Sequence, residues 1–470
     1  LEEDSCREVS DIGHQRIYRT DRLGMPLIET VTYPEFINPD EVKEGADYIR
    51  FLNRSTGKVA TGIGSTRADV NVSCKGGTRV EIKGVAHNRW MPELTHNEAF
   101  RQFSLLRIKE LLNKQVTDPK SWKINSQRIS LKDLSTTISL LNEQEAKGYP
   151  VYVVNLPGFK GMLSHFLQPE MTFADELTNR MKVIACIEKP NMLHSEMFED
   201  VVGKESWQKI RTMLGAGDND AQLILWGPEA DIPTALETVE ERCLMAFAGV
   251  PNETRKSFEN GTTIFERVLP GADRMYPDTD TAPIPLIDKT LDEMAKRLPV
   301  VTSDRIAQLI KWDVPQETFT FILKNNLVPL IEKIQDQLEI PPRYTATLLA
   351  HRLNCIERQL GISGNFDPDK VYDLLAFLKS QNLDLELAKK MLWIVYQHPG
   401  KGFETILKEV GYKEVSRGEI EKMIPVLNDE YGKIKTSKNE GAGANWIMGE
   451  LRKQALGNVS MQSLSEEIKQ

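Results

Sequence analysis

The chain has 470 residues, of which 40% are hydrophobic and 27% are charged, and its formal net charge is −9. This length is too great for one hydrophobic core and predicts about three domains. No run of residues approaches the roughly 20 apolar positions needed to cross a bilayer, so no membrane-spanning helix is predicted. The negative net charge argues against indiscriminate binding to nucleic acid but is compatible with a local basic patch.

The positions of cysteine and histidine exclude the common zinc sites. The five cysteines are scattered without a C-x-x-C pair, and no two histidines lie three to five residues apart. Reduced thiols and a cytoplasmic location are therefore expected. The chain starts at Leu1 rather than at a methionine, and we expect it to begin inside a larger protein.

The first region, 1–118, is predicted to be rich in β-strands. In RLGMPLIETVTYPEF (22–36), an apolar run and the β-formers Thr30-Val31-Thr32 predict a strand that ends at Tyr33-Pro34. Glu29 lies within that strand on the face opposite Ile28. It is either a polar residue on a solvated face or a carboxylate that faces a cleft.

The same region is predicted to close with an amphipathic helix from about Asn97 to Asn113. Its apolar stripe would be formed by Phe100, Phe103, Leu106 and Leu111.

The stretch STRADVNVSCKGGTRVEIKGV (65–85) predicts a β-hairpin with one apolar and one polar face. Val70 and Val72 alternate with polar residues, Gly76-Gly77 offers a turn, and Val80 and Ile82 resume the alternation. Alternate residues share a face, so the polar face carries Arg67, Asp69, Asn71 and Ser73 from one strand and Arg79, Glu81 and Lys83 from the other.

This polar face is the strongest local candidate for chemistry. Acids and amides suit a hard divalent cation such as Mg²⁺, and Arg and Lys suit phosphate oxygens. Glu29 and the acidic run Glu2-Glu3-Asp4 would add oxygen ligands if they converge there. An ordinary solvated face of an antiparallel pair also carries polar residues, so a surface without function remains the alternative.

A second region, 119–262, is predicted to be an α+β domain inserted into the chain. YPVYVVNLPG (149–158) and AQLILWGP (221–228) predict buried strands. MTFADELTNRMKVIACI (171–187) and IPTALETVEERCLMAFAGV (232–250) predict helices between and after them. Residues 263–290 are predicted to be loop-rich and to complete the first domain.

From about residue 300 the chain is predicted to be helical, with Ser303 as an N-cap and a capping box formed by Ser416 and Glu419. A break at 361–364 would separate a helical region, 291–362, from a C-terminal region, 365–470. The C-terminal region carries a basic surface that could meet a phosphate backbone, or could be a solvated helix end; its members are Lys433, Lys435, Lys438, Arg452 and Lys453.

Four blocks of the sequence resemble the GatB/GatE family, the ATP-dependent subunits of tRNA-dependent amidotransferases. In the order and spacing of that family they are LEEDS (1–5), RLGMPLIETVT (22–32), TRADVNVS (66–73) and TRVEIKGV (78–85). The block LPGADRMYPDTDTAPIPL (269–286) points to the archaeal E branch rather than the B branch.

The resemblance implies a multidomain α+β fold. Residues 1–118 and 263–290 would form a β-rich cradle (kinase) domain, interrupted at 119–262 by a domain similar to the extra (GAD) domain of bacterial-type aspartyl-tRNA synthetases. An all-α helical domain would follow at 291–362. DPDKVYDLLAFL (367–378) through GANWIMGELRKQALG (443–457) resembles the YqeY-like tail domain, which would occupy 365–470.

The resemblance also implies a reaction and its site residues. Family members use ATP and Mg²⁺ to phosphorylate the γ-carboxyl of the glutamate on Glu-tRNA(Gln), and ammonia then displaces the phosphate. On the matching positions, Glu2, Glu3 and Glu29 are the implied metal ligands. The implied catalytic residues are Glu29, Asp69, Glu81 and Lys83. The implied nucleotide-binding residues are Arg67, Asn71, Ser73 and Arg79, and the basic residues of the tail would bind tRNA.

Partners are implied in the same way. In the E branch an asparaginase-like D subunit (GatD) supplies the ammonia, so a heterotetramer of two D and two E subunits is expected, with Glu-charged tRNA(Gln) as substrate. Family members carry a further cradle-forming segment, with a metal-associated histidine, ahead of the block that matches residues 1–5.

Two other functions stay open. The inserted region suggests an aspartyl-tRNA synthetase, but class II synthetases need a glycine-rich strand that ends in arginine, and the sequence contains none. A non-catalytic tRNA-binding or assembly protein is the second alternative. ATP hydrolysis that depends on Glu-tRNA(Gln) would separate it from an enzyme.

Overall fold

The structure is a computed structural model that describes residues 2–3, 6–60, 62, 64–134, 138–268, 285–361, 366–434 and 441–469. For Glu2, Glu3 and Lys469 it describes the backbone only. The chain divides into two compact units, Leu1–Ile49 with Ala60–Ile284 and Arg50–Val59 with Pro285–Gln470. Within the described ranges, no helix is long and apolar enough to cross a membrane. The predicted mixed α+β fold is confirmed.

In its described residues, the first unit contains the strands and six α-helices. Its strands are β1 (Glu2–Glu3), β2 (Arg7–Ile12), β3 (Gln15–Arg19), β4 (Pro26–Leu27), β5 (Ala68–Val72), β6 (Val80–Val85), β7 (Asn125–Ile129), β8 (Val151–Leu156), β9 (Phe166–Gln168), β10 (Met171–Thr172), β11 (Met192–His194), β12 (Ala221–Trp226), β13 (Glu253–Ser257) and β14 (Thr263–Val268). Its helices are α1 (Pro39–Ser55), whose last residues belong to the second unit, α2 (Met91–Gln115), α3 (Ser139–Ala146), α4 (Phe173–Ile184), α5 (Lys204–Leu214) and α6 (Ile232–Ala248).

The predicted hairpin is confirmed as β5 and β6, which pair antiparallel with Val70 opposite Ile82 and Val72 opposite Val80. All four of these side chains are buried, so the apolar face of the hairpin forms part of the core. In the connecting loop the N–H of Gly77 donates to the carbonyl of Cys74 at 2.9 Å. The alternation of the sequence therefore fixes which side chains stay on the outer, polar face.

A second sheet, with strand order β11-β12-β8-β7, forms the centre of the inserted region. Helices cover it on both faces: α4 and α6 contribute to one buried cluster, and α3 and α5 to the other. Burial on both faces explains why β8 and β12 are almost continuously apolar. The strands predicted within 149–158 and 221–228 and the helices predicted within 171–187 and 232–250 are confirmed.

The chain returns to the hairpin's sheet at Glu253, which lies inside the predicted insertion 119–262. Strand β13 pairs in parallel with β6, with Thr254 opposite Glu81, and antiparallel with β14. The resulting strand order is β14-β13-β6-β5. The predicted boundary at residue 263 is therefore late, and residues 263–268 form a strand rather than a loop. Residues 269–284 lie outside the described part.

The helix predicted from about Asn97 to Asn113 is confirmed as α2, but its buried face is only partly the predicted one. Phe100 and Phe103 were expected on its apolar stripe, but their side chains are 41% and 60% exposed. The buried face instead carries Glu98 and Arg101 together with apolar residues such as Leu105. Leu106 and Leu111 of the predicted stripe do pack against the core. The placement of Phe100 and Phe103 was wrong because this helix buries charged groups, which a search for apolar periodicity assigns to solvent.

These charged groups belong to a buried network, defined here as Glu98, Arg101, Glu176, Arg180, Arg242, Glu253 and Arg255. Arg101 lies at its centre: its guanidinium donates to Glu176 at 2.7 and 3.1 Å, to Glu98 at 3.0 Å and to Glu253 at 2.5 Å. The network therefore joins α2, α4 and β13 through ion pairs that are shielded from water.

The remaining arginines complete the network. Arg242, on α6, donates to Glu176 at 3.0 Å, and Arg255 donates to Glu253 at 2.6 Å. Arg180 pairs with Glu253 and lies 4.1 Å above the ring of Phe265. Burial opposes ionisation of the Glu176 and Glu253 carboxyls, but the surrounding arginines outweigh it and lower the pKa of both.

The second unit is helical, as predicted for residues beyond about 300. Its helices are α7 (Asp288–Ala295), α8 (Thr302–Lys311), α9 (Phe319–Lys324), α10 (Val328–Leu338), α11 (Pro342–Thr347), α12 (Asn354–Leu360), α13 (Asp369–Ser380), α14 (Ala388–Gln397), α15 (Phe403–Glu409), α16 (Arg417–Ile434), α17 (Ala442–Ala455) and α18 (Met461–Lys469). A π-helical turn at Leu348–Leu353 precedes α12.

Two hydrophobic cores stabilise these helices. The larger one contains buried residues of α8 and α10 together with those of α13 and α14, so it crosses the predicted boundary at 362–365. The smaller one lies among α16, α17 and α18. The unit is thus not divided at residue 365, because helices on both sides of that position bury their apolar faces against each other.

The predicted helix caps have different outcomes. The capping box is confirmed: the hydroxyl and the N–H of Ser416 donate to the Glu419 carboxylate at 2.7 and 2.9 Å. The N-cap predicted at Ser303 is wrong, because α8 begins at Thr302 and Ser303 lies in its first turn. The hydroxyl of Thr302 is engaged instead by that of Ser55, at 2.9 Å.

Replacing Arg101 with Met should destabilise the first unit by about 3 kcal/mol or more, because Glu176 and Glu253 would stay buried without their shared partner. Hydrogen exchange should show this as a fall in protection of about 100-fold across β13 and α4. The matched control is Arg107→Met on the same helix, which removes an exposed pair with Glu110 and should cost less than about 1 kcal/mol. Equal protection in the two variants would contradict a structural role for the network.

Candidate functional site

Three charged side chains meet on the polar face of the hairpin. The Nζ atom of Lys83 lies 2.8 Å from Oδ2 of Asp69 and 2.7 Å from Oε1 of Glu81. Each of the three is partly exposed, with side-chain exposures of 28% for Lys83, 34% for Asp69 and 18% for Glu81. The ammonium group is thus held between two carboxylates at a surface that solvent can reach.

The backbone fixes where these groups lie. Asp69 occupies a bulge in β5, and its second oxygen accepts a hydrogen bond of 2.8 Å from the N–H of Gly84. Gly84 has a φ of +64°, a conformation that favours glycine. On the other side, the hydroxyl of Ser257 in β13 donates to the carbonyl of Lys83 at 3.1 Å. Strand β6 is therefore held by neighbours on both edges.

The pKa of Lys83 is raised. Partial burial favours the neutral amine, but hydrogen bonds from the ammonium to Asp69 and Glu81 outweigh that effect, and the charges of the two carboxylates add to it. Lys83 is consequently a fixed positive charge at neutral pH. With two carboxylates and one ammonium the cluster carries a net charge of −1, so it is suited to a divalent cation, and the ammonium can contact a phosphate oxygen once the carboxylates face that cation.

The four residues predicted to bind nucleotide lie on exposed positions in or next to the same two strands. Asn71 lies opposite Glu81 in the hairpin, while Ser73 follows β5. Arg67 precedes β5, Arg79 precedes β6, and both are exposed. The structure brings Asp69, Glu81 and Lys83 into direct contact, and leaves the other four accessible near the ends and edge of the same hairpin.

Glu29 is exposed and lies beyond the end of β4. The predicted strand through Thr30–Thr32 is wrong, since β4 covers only Pro26–Leu27. Nor is the preceding apolar run buried: Ile28 is 67% exposed, and Val31 beyond it is 76% exposed. β-Forming residues make a strand only where a neighbour completes the hydrogen-bond ladder, and in the described part that neighbour is the two-residue β1.

The pairing of β1 with β4 does bring two predicted blocks together. Glu2 lies opposite Leu27 and Glu3 opposite Pro26, so the acidic block runs beside the stretch that leads to Glu29. A metal site formed by Glu2, Glu3 and Glu29 stays a prediction, because the first two side chains are outside the description. Among the side chains that are described, no group of three or more His, Cys, Asp or Glu could hold a metal ion.

Three of the five predicted basic residues of the tail are described, Lys433 on α16 and Arg452 and Lys453 on α17. Lys433 is exposed and 3.8 Å from Asp429, while Lys453 is exposed and 2.9 Å from Glu450. Arg452 is also exposed. Lys435 and Lys438 fall outside the described residues. Acids on the same helices therefore neutralise part of this basic surface.

Sequence reasoning missed β13, the strand that holds β6 in place. Its sequence, ETRKS, is too polar to indicate a central strand, and its polarity is explained by Glu253 and Arg255, which join the buried network. The only sequence signal for β13 was a strand-like stretch that carries charged side chains. Those charges can be understood only once the arginines on α2 and α4 are seen to lie in the same buried network.

Comparison with known proteins assigns the two parts of the chain separately. Residues 1–292 match the family model described as "GatB/GatE catalytic domain", and residues 330–470 match a YqeY-type model described as "GatB domain". The first match includes the whole polar face of the hairpin. The second begins well before the predicted tail boundary at 365, in agreement with the core shared across that position.

Full-length relatives are similar along the chain. It is 30% identical to a protein of Sulfolobus acidocaldarius, over 100% of this chain and 74% of that protein. It is 32% identical to a protein of Methanocaldococcus jannaschii, over 100% of this chain and 75% of that protein. Each of these relatives is named as the E subunit of a glutamyl-tRNA(Gln) amidotransferase.

The environment of Lys83 predicts its chemical reactivity. Because only the neutral amine is nucleophilic, Lys83 should acylate more slowly than the exposed Lys75 in the hairpin loop when the chain is labelled near neutral pH. Asp69→Asn removes one stabilising carboxylate, so it should lower the pKa of Lys83 and speed its labelling relative to Lys75. Peptide mass spectrometry across a pH series measures both rates. An unchanged ratio in the variant would contradict the ion-pair assignment.

Proposed function

This chain belongs to the GatB/GatE family, and we propose that it is the E-type subunit of an archaeal glutamyl-tRNA(Gln) amidotransferase. It would use ATP to phosphorylate the γ-carboxyl of the glutamate on Glu-tRNA(Gln), and ammonia would then convert the product to Gln-tRNA(Gln). The names of the relatives support the overall reaction. The observation that carries the chemical step is the placement of Lys83 between Asp69 and Glu81 in the part that matches the catalytic domain.

Phosphoryl transfer demands positioning and charge neutralisation more than covalent chemistry from the protein. Lys83 offers a fixed positive charge, and the ladder on both edges of β6 limits its backbone movement. Arg67 and Arg79 are exposed cations close to the ends of the hairpin strands, where they could bind further phosphate oxygens. Asn71 and Ser73 could donate hydrogen bonds to the same nucleotide.

The residues present also fit Mg²⁺. This ion prefers oxygen ligands and usually takes one or two protein carboxylates together with substrate phosphates. Asp69 and Glu81 each direct one oxygen toward the same positive charge, which in this structure is the ammonium group of Lys83. We propose that they face the metal site, with Glu2, Glu3 and Glu29 as its ligands. When bound, Mg²⁺ would neutralise the charge of the phosphates, and Lys83 would then contact the transferred group.

The balanced reaction has two steps. In the first, a γ-carboxyl oxygen of the glutamyl group forms a bond to the γ-phosphorus of ATP, and the bond to ADP breaks. In the second, the nitrogen of ammonia forms a bond to the carbon of the γ-carboxyl group and loses a proton, the bond from that carbon to the phosphorylated oxygen breaks, and inorganic phosphate leaves with that oxygen. We propose that an asparaginase-like D subunit (GatD) supplies the ammonia in an assembly of two D and two E subunits.

The other parts of the chain have supporting roles in this proposal. The sheet β11-β12-β8-β7 and its helices would form the domain similar to the extra (GAD) domain of aspartyl-tRNA synthetases. The helices of the second unit would comprise the helical and YqeY-like tail regions. The tail, with Lys433, Lys435, Lys438, Arg452 and Lys453, would bind tRNA(Gln) away from its acceptor end.

Lys83→Met, in the complete subunit with its D partner, should reduce Glu-tRNA(Gln)-dependent ATP cleavage by about 100-fold or more, as loss of one charge-stabilising group does in other enzymes. Glu29→Gln should have a similar effect. Affinity for tRNA should stay within about twofold, because neither change touches the proposed tRNA surface. Lys75→Met, in the hairpin loop, is the matched control. Full phosphorylation by the Lys83 and Glu29 variants would contradict the proposal.

The triple substitution of Lys433, Lys435 and Lys438 with Glu should weaken tRNA binding and flatten its dependence on salt, because contacts with phosphates release counterions. Filter binding across a salt series measures both quantities. The matched control compares two single variants on α16 with the same change in net charge: Lys433→Glu should weaken binding, and Lys422→Glu should have a smaller effect. Affinity and slope equal to those of the unaltered chain would exclude a tail contact.

A further inference from the structure

A cavity of about 170 Å³ lies within the second unit. Its wall is formed by the end of α1 and the loop after it, the segment between α7 and α8, and the segment between α9 and α10. Its polar lining residues are Ser55, Thr56, Lys58, Arg297, Thr302, Arg305 and Asn326. Three of these are cations, and none of the described residues that line the cavity carries a carboxylate.

Two of the three cations are unneutralised. Lys58 and Arg297 are exposed, and among the described residues neither forms an ion pair with a carboxylate. The charge of Arg305 is partly neutralised, because its guanidinium lies 3.4 Å from the carboxylate of Glu332. The same guanidinium also donates a hydrogen bond to Gln308 at 2.8 Å. In a chain with a net charge of −9, this is a local concentration of positive charge without its counter-charge.

The surrounding backbone adds to the positive potential. Helix α8 begins at Thr302 and α10 begins at Val328, and both residues line the cavity, so the positive ends of two helix dipoles lie there. The C-terminus of helix α1 also lies at the cavity, and it contributes the negative end of a helix dipole. Its last carbonyls are partly compensated, however, because the hydroxyls of Ser55 and Thr56 donate to those of Leu52 and Asn53.

Further cations crowd the same region. The pKa of Lys324 is lowered, first by partial burial and then by repulsion from Arg54 and Arg50. Lys324 lies between the lining residues Leu323 and Asn326 in the chain, and Arg54 precedes the lining residue Ser55. These cations do not line the cavity themselves, but they add to the positive potential beside it, which favours the binding of an anion.

From this geometry we infer that the cavity binds a phosphate group, and that the phosphate belongs to the backbone of the tRNA substrate. This source rests on the proposed function. The cavity is smaller than the roughly 300–1,000 Å³ typical of pockets that enclose a whole small ligand, which favours one group of a longer chain. The side-chain amide of Asn326 supplies neutral donors beside the cations, as amides commonly do in phosphate contacts of protein–nucleic acid complexes.

The test compares two double variants of the full chain with the same change in net charge. Lys58→Gln with Arg297→Gln removes both unpaired cations, whereas Lys289→Gln with Lys296→Gln removes exposed lysines that do not line the cavity. In filter binding with tRNA(Gln), the cavity variant should lose about tenfold or more in affinity. Its slope of log affinity against log salt should fall by about 0.7–0.9 for one lost phosphate contact. The control should keep the slope, and Arg297→Lys should keep most of the affinity.

A second arm distinguishes the source of the phosphate. Inorganic phosphate is titrated against the unaltered chain and the cavity variant at constant ionic strength, with thermal unfolding as the readout. Stabilisation of the unaltered chain alone, together with tRNA affinities that are equal in the two double variants, would identify a free-phosphate site and overturn the tRNA assignment. Equal tRNA affinities without stabilisation would overturn the site itself. Gln-tRNA(Gln) formation by the unaltered enzyme with its D partner reports on the proposed function separately, since it does not depend on either variant.

Discussion

The ion pairs made by Arg101 determine how the first unit is built. One guanidinium binds carboxylates from α2, α4 and β13, and three further arginines complete a network that water does not reach. Burying charges is costly unless each has partners, so the elements that carry them must keep one arrangement. Strand β13 is among those elements, and it lies directly beside β6. The position of Glu81 and Lys83 thus depends on a network that neither residue contacts.

This dependence gives a physical reason for the long interruption between the hairpin and the strand that completes its sheet. The inserted region does not merely extend from the chain between β6 and β13. Its helices α4 and α6 contribute Glu176, Arg180 and Arg242 to the network. The buried charges therefore join helices of the inserted region to β13, a strand of the hairpin's sheet.

Local patterns predicted much of this fold. The hairpin followed from strict alternation around Val70, Val72, Val80 and Ile82, and the buried strands β8 and β12 from their apolar runs. The failures occurred where burial did not follow hydrophobicity. Helix α2 buries Arg101 and exposes Phe103, and β13 is central despite its charges. In the described part, the β-forming residues next to Glu29 lack a paired strand.

The triad of Asp69, Glu81 and Lys83 was predictable as a shared face. Its contacts were not predictable, because they depend on a bulge at Asp69 and on the backbone N–H of Gly84.

Phosphorylation of the γ-carboxyl can be tested by following one oxygen atom. Glu-tRNA(Gln) labelled with ¹⁸O in the γ-carboxyl is converted by the complete enzyme with ATP and ammonia, and the released inorganic phosphate is examined by ³¹P NMR for the isotope shift. If the carboxyl oxygen attacks the γ-phosphorus of ATP, the phosphate carries one ¹⁸O atom for each Gln-tRNA(Gln) formed. Unlabelled phosphate accompanied by normal formation of Gln-tRNA(Gln) would mean that water cleaves ATP, and would contradict phosphoryl transfer to the substrate.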